Sequence, residues 1–325
     1  MLKISSMSPD ISVIFTSYNH KEFLEQALEA IINQTYRNFE LIIVDDCSTD
    51  GSQDILKRYV DDERVKLHLL EKNSGSYVNA SNYGFTYASA QYVIFAQCDD
   101  FPEKNQFSEL IKYAKTNIDA AVVFSSSNLI NEKGNFILCD FDVRTKRFKK
   151  NHNSNSIIHN TEMNNYLLNS CVIPNLSAAL IKKSIFEEFN FFSKKYFVLA
   201  DWDLWLKIST KYNFYYLRQP LNNFRQHGTT IRNSIKLKRQ VFEVIEMFYD
   251  HITYSNKNIL YKLRVEYFIS KIWILYFFDD KLLWISSFFD IYKHSWKKSK
   301  SLIFILVYSF LYNSMKKIIN MWKWI

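Results

Sequence analysis

Two pairs of neighbouring acids, Asp45-Asp46 and Asp99-Asp100, each close a β-rich apolar run, residues 39–44 and 91–97. Carboxylates held at strand ends are hard oxygen donors. They suit a divalent cation such as Mg2+ or Mn2+, which takes carboxylate and phosphate oxygens together. His227, in the run Arg225-Gln226-His227-Gly228, reads as a structural imidazole of a β-rich stretch, although a neutral imidazole is in general a competent metal ligand. An isolated Val-Asp-Asp is also a helix-capping turn, so Asp45-Asp46 has two readings. Asp201 precedes Trp202, Leu204, Trp205 and Ile208 at helical spacing. That position suits a cap for the helix.

The elements that must position these residues alternate in type. Residues 11–16 read as a strand, and Asn19 with Glu22 as a capping box opening a helix whose face is Phe23, Leu24, Ala27, Leu28, Ile31 and Ile32. Thr49-Asp50-Gly51 supplies turn chemistry before a second helix that runs to Tyr59. Strands at 65–70, 91–97 and 120–125 alternate with helices at 78–88 and 104–115. This order predicts an α/β fold with a mainly parallel sheet and helices on both faces. In such sheets ligands bind beyond the carboxyl ends of the strands, where both acid pairs fall. Residues 127–175 are polar and weakly periodic, and an irregular region is expected there. Order returns at 177–181, 201–208 and 214–225, and the pattern is helical after 235. Gly75 and Gly84, two of only 5 glycines, are expected to mark required backbone conformations.

With 23% charged and 48% hydrophobic residues among 325, the chain is a folded one and not a disordered one. Cys47, Cys98, Cys139 and Cys171 form no Cys-x-x-Cys pair, which argues against a zinc site or disulfide framework. The first residues lack the apolar run of a secretory signal, so a reducing, cytoplasmic setting is expected. Charge divides the chain. Residues 1–234 carry 26 basic and 26 acidic side chains, whereas 235–325 carry 15 and 7, which is the whole excess of +8. The expected organisation is therefore a catalytic domain at 1–234 and a basic, aromatic helical extension at 235–325. Apolar runs in that extension reach about ten residues, short of a bilayer span. It suits peripheral contact with an anionic membrane, or packing on the catalytic domain or a second subunit in a homo-oligomer. It has no nucleic-acid recognition module.

Four blocks, in order, resemble family 2 glycosyltransferases, which have the GT-A fold. They are residues 12–56 (SVIFTSYNHKEFLEQALEAIINQTYRNFELIIVDDCSTDGSQDIL), 73–101 (NSGSYVNASNYGFTYASAQYVIFAQCDDF), 200–209 (ADWDLWLKIS) and 224–228 (FRQHG). The resemblance implies an inverting transfer of sugar from a nucleotide-diphosphate donor to a hydroxyl acceptor, in cell-surface polysaccharide or glycan assembly. It divides the domain into a nucleotide-sugar half, about 10–126, and an acceptor half, about 127–234. Thr16, Tyr18 and Asp45 would hold the nucleotide, with Asn73 a donor contact or a structural residue. Asp99 would hold the donor ribose or sugar, Asp100 and His227 the divalent cation, and Asp201 would be the catalytic base. The implied donor is a UDP-sugar or dTDP-sugar, and the acceptor a glycan or lipid-linked glycan at the inner face of the cell membrane. Two positions depart from the family pattern, with Gln97 where an acid often stands and Ala200 where a Glu usually stands. They leave open a non-catalytic nucleotide-sugar-binding or scaffold protein of the same fold. A nucleotidyltransferase is the other alternative, although TSYNHKEF lacks a Gly-rich phosphate loop.

Overall fold

In the computed structural model, residues 8–228, 237–255 and 259–279 are described, together with Lys293 and Trp296. The first strands are β1 (Ile11–Ser17), β2 (Phe39–Asp45), β3 (Val65–Leu69) and β4 (Tyr92–Gln97), all mutually parallel, with β1 between β2 and β4. Every residue of β1 and β2 is buried. Both faces of these strands are covered, which is why they read as unbroken apolar runs. One face packs on helix α1 (Lys21–Ile32) through Leu24, Ala27, Leu28 and Ile31. Helices α2 (Ser52–Leu56) and α3 (Tyr77–Phe85) follow β2 and β3.

The second half begins with the short strand β5 (Phe101–Pro102), helix α4 (Gln106–Thr116) and the long strand β6 (Ala120–Asn131). Then come β7 (Phe136–Cys139), α5 (Lys146–Asn151), β8 (Ser156–Ile158) and α6 (Asn160–Leu167). Strand β9 (Ala179–Lys182), helices α7 (Lys183–Glu188) and α8 (Ala200–Ile208), and β10 (Asn213–Gln226) complete this half. The sheet order is β3-β2-β1-β4-β9-β6-β10-β5. Strand β9 is antiparallel to both β4 and β6, and β6 is parallel to β10.

Two sequence expectations are corrected here. Residues 127–175 are not irregular: they complete β6 and contain β7, α5, β8 and α6. Their periodicity was hidden because β6 buries serines, with the Ser126 hydroxyl 2.5 Å from that of Tyr216 and Ser127 N–H donating to Asp140 at 2.7 Å. Nor does Asn19 form a capping box. Its φ of 52° is left-handed, and its side chain accepts from Thr49 N–H at 2.8 Å. Asp50 caps α1 from the neighbouring loop instead, accepting from Lys21 N–H at 2.9 Å.

Gly75, with φ of 92°, needs its freedom of backbone. Gly84 has a different reason. A Cβ there would lie 2.7 Å from Ile14 Cγ2 and 2.9 Å from Val44 Cγ2, so α3 seats directly on the sheet. Gly84→Ala is therefore expected to destabilise by about 1–3 kcal/mol through overpacking, read as a fall in the thermal midpoint, despite the gain in helix propensity.

Glu40 pins the other end of the sheet. It is 5% exposed, and its carboxylate accepts from Ser12 Oγ (2.6 Å), Ser89 N–H (2.7 Å), Ser89 Oγ (2.8 Å) and Lys66 Nζ (2.7 Å). Burial pushes its pKa up, but these donors outweigh burial and the net shift is downward. A depressed carboxylate contributes stability above its unfolded pKa, and that contribution is lost as pH falls through the folded value. Glu40→Ala is expected to cost about 2–4 kcal/mol at neutral pH, chiefly by orphaning the buried serine donors, because Lys66 is half exposed. The difference from the parent should shrink below about pH 4, measured by denaturant midpoints.

The chain divides into two compact units after His227. The boundary that charge places at 234/235 lies outside the described residues. In the second unit, α9 (Leu237–Ser255) and α10 (Ile259–Asp279) bury Val241, Ile245, Phe248, Val265 and Ile269. Tyr249 OH donates to the fully buried Glu266 at 3.1 Å. Among the described residues no helix is long and apolar enough to cross a membrane. Most of the apolar and lysine stripe beyond 280 lies outside them.

Candidate functional site

The carboxyl ends of β1, β2 and β4 bring the sequence-predicted residues to one edge of the sheet. Thr16, the penultimate residue of β1, is 6% exposed and beside Gln97 in register, and Tyr18 follows the strand, 46% exposed. Asp45 is fully enclosed. Its carboxylate accepts from Ser48 N–H (2.9 Å), Ser48 Oγ (2.6 Å) and Gln53 Nε2 (2.9 Å). Asp46 holds the next loop, accepting from Ser74 N–H (2.6 Å) and Ser74 Oγ (2.9 Å). Asn73 is exposed in that loop, donating to the Asp46 carbonyl at 3.1 Å and accepting from Gly75 N–H at 2.7 Å.

Beyond β4 the two acids turn in different directions. Asp100 faces inward, 3% exposed. One carboxylate oxygen accepts from Arg225 N–H (3.1 Å), and the other from Asn175 Nδ2 and Ser177 Oγ (3.0 Å each). Burial, and then the charge of Asp99, hold its carboxyl well above the ordinary range. Asp99 keeps a partly open side chain, with Oδ2 3.0 Å from His227 Nε2. The His227 ring packs 4.9 Å from Phe23 and edge-on to His20 at 5.6 Å.

Arg225 fixes the strand end that carries His227. It is 2% exposed and donates through Nε to the Asp99 carbonyl (2.9 Å), through Nη1 to the Glu132 carbonyl (2.7 Å) and through Nη2 to Gln26 Oε1 (2.6 Å). The guanidinium also lies 4.7 Å from the Phe23 ring centroid. Thus β10, α1, the end of β4 and the β6–β7 turn meet on one cation.

Behind Asp100 stands a relay of carboxamides. Ala178 N–H donates to Asn175 Oδ1 at 3.0 Å, which turns the Asn175 amide nitrogen toward Asp100. Asn222 Nδ2 then donates to the same Asn175 oxygen at 3.3 Å. Sequence reasoning missed Asn175, Ser177 and Asn222 as site residues. Their signal was polar side chains set inside or against β-rich apolar runs, where an unpaired amide would be costly.

Asp99, Asp100 and His227 are therefore brought together. Asp201 sits on another element, the first turn of α8, partly exposed, with Oδ1 accepting from Trp202 N–H at 2.7 Å. Among the described residues no three His, Cys, Asp or Glu side chains converge as a ready-made metal cage. A carboxylate–imidazole pair still fits Mg2+ or Mn2+, which commonly keep one or two protein ligands and take the rest from phosphate and water.

A mixed sheet with a parallel half, covered by helices on both faces, is the architecture of the GT-A fold. The family model for glycosyl transferase family 2 matches residues 12–189, and the chain belongs to that family. It is 31% identical over 186 residues to glycosyltransferase GlyG of Streptococcus pneumoniae, a match covering 57% of this chain and 60% of GlyG. It is 35% identical over 132 residues to TuaG of Bacillus subtilis, named for teichuronic acid biosynthesis, covering 40% and 52%. The chain thus spans about half the length of these relatives. The fold matches S. aureus TarS residues 1–349 solved with UDP-GlcNAc, at TM-score 0.63 and 18% identity over 82% of this chain and 72% of that one.

Proposed function

We propose that the chain is an inverting, divalent-cation-dependent glycosyltransferase using a nucleotide-diphosphate sugar. The observation that carries this reading is the Asp99–His227 pair at the carboxyl edge of the sheet in a family 2 chain. Structural neighbours crystallised with UDP, with UDP-GlcNAc, and with GDP-Man and Mn2+ support a donor and cation of this kind. Relatives named for teichuronic and teichoic acid biosynthesis support a cell-surface polysaccharide as the product.

On this reading Asp99, Asp100 and Asp45 take roles other than those the sequence resemblance implies, Asp99 having been expected to hold the donor ribose or sugar. Asp99 and His227 would hold the cation, because they touch each other and Asp99 is the more open acid. Asp100, read from sequence as a cation ligand, has both oxygens occupied by protein donors and instead fixes Arg225 and the strand end carrying His227. Asp45, read from sequence as a nucleotide contact, is enclosed and shapes the turn, leaving Thr16, Asn73 and the exposed Tyr18 ring on the nucleotide side. The bound cation would neutralise charge on the departing diphosphate.

Asp201 takes the proton of an acceptor hydroxyl as its oxygen bonds to the anomeric carbon. The bond from that carbon to the phosphate oxygen breaks, and the nucleoside diphosphate leaves from the opposite face, inverting the centre. The acceptor is a glycan or lipid-linked glycan, and the basic region 235–325 supplies a second contact with the membrane. The test is a thermal-shift screen of UDP-, dTDP- and GDP-sugars with Mn2+ and with EDTA. A UDP- or dTDP-sugar should stabilise the protein only with Mn2+. Stabilisation by none of the donors, or equal stabilisation in EDTA, would refute the proposal.

A further inference from the structure

We infer that the β7–α5 segment of the catalytic unit is a docking surface for an anionic lipid bilayer, separate from the basic C-terminal region. Three apolar side chains stand in solvent within eight residues: Phe136 is 64% exposed, Ile137 49% and Val143 67%. Strand β7 lies off the main path of the sheet and pairs with β6 alone. An exposed apolar edge strand is a liability unless something covers it.

The charge beside it says what that cover is. Lys146, Arg147 and Lys150 are exposed on α5, with Lys133 at the β6–β7 turn and Lys149 half-buried between them. Within residues 132–150 the exposed acids are Glu132 and Asp142, since Asp140 is buried and paired with Arg144. Residues 1–234 carry equal numbers of acids and bases, so this is a local concentration of positive charge in a neutral unit. Apolar side chains flanked by basic ones match a surface of acyl chains beneath anionic headgroups. A soluble polyanion would use the lysines but leave Phe136, Ile137 and Val143 uncovered.

The segment is firmly seated. Phe148 is 1% exposed beneath α5, the Thr145 side chain caps that helix, and Asp140 ties the preceding turn to Ser127 N–H and Arg144. The β6–β7 turn also touches the site, since the carbonyls of Asn131 and Glu132 accept from Arg225 Nη1 at 3.4 and 2.7 Å. Docking through this surface would therefore place the rim of the site at the headgroups. That last consequence rests on the proposed function, whereas the docking itself does not.

The experiment is co-sedimentation of the full chain with vesicles of phosphatidylglycerol and phosphatidylcholine, and of phosphatidylcholine alone, without nucleotide or metal. The chain should bind the anionic vesicles only. Lys146→Gln, Arg147→Gln and Lys150→Gln together should cut partitioning by about 100-fold with the C-terminal region intact, from the contribution expected of each basic residue near such a surface. Phe136→Ser with Ile137→Ser should cut it by about tenfold or more, including at high salt. Both variants should keep the parent thermal midpoint. Unchanged binding of either variant, equal binding to neutral vesicles, or release of the parent by a soluble glycerol-phosphate polymer would overturn the inference.

Discussion

Asp99→Asn is expected to lower transfer by roughly 10^3-fold or more and to abolish stabilisation by Mn2+ with nucleotide. Removing the charge takes away the anionic half of the carboxylate–imidazole pair, and metal stabilisation of a departing diphosphate is worth several kcal/mol. The metal-free thermal midpoint should move little, because Asp99 is partly open and the main anchor of the turn, its carbonyl bond to Arg225 Nε, is retained. Asp100→Asn is the control. Its amide cannot accept from Arg225 N–H, Asn175 and Ser177 as the carboxylate does, yet the Mn2+ response should survive at least in part. If Asp100→Asn abolished that response while Asp99→Asn kept it, the two roles would have to be exchanged. Activity assays paired with thermal shifts in Mn2+ and in EDTA separate the outcomes.

The second large effect is expected at Asp201. Asp201→Asn should reduce kcat by about 10^2–10^4-fold while leaving donor affinity within about twofold, the pattern of a lost general base. A purely structural Asp201 would behave differently. The Asn side chain can still accept from Trp202 N–H at the start of α8, so a capping role would be largely preserved and turnover with it. Turnover close to the parent's would therefore remove Asp201 from the chemistry. Single-turnover transfer and calorimetric titration of nucleotide together decide this.

Much of the first half of the sheet was legible because its strands are buried on both faces. Apolar runs such as residues 39–44 leave little choice of element, and the acids that close them fall at the sheet edge. The part that was not legible is where polar side chains do the packing. Ser126 and Ser127 are fully buried in β6, where the strand runs on past the end expected at residue 125. A hydrophobic pattern cannot distinguish such a strand from a loop. The same limit concealed the different surroundings of Asp99 and Asp100. Adjacent residues of the same type are equivalent in a sequence, and only Asn175, Ser177 and Arg225 make one of them an internal anchor. Gly84 was singled out for its rarity, but its reason, the contact with Ile14 and Val44, belongs to tertiary packing.

The most direct test of the account is the anomalous scattering of Mn2+ in crystals of the full chain grown with UDP or dTDP. The account expects one peak in contact with the Asp99 carboxylate, the His227 imidazole and the diphosphate together. A nucleotide bound without such a peak, or a peak held by Asp100 away from His227, would contradict it.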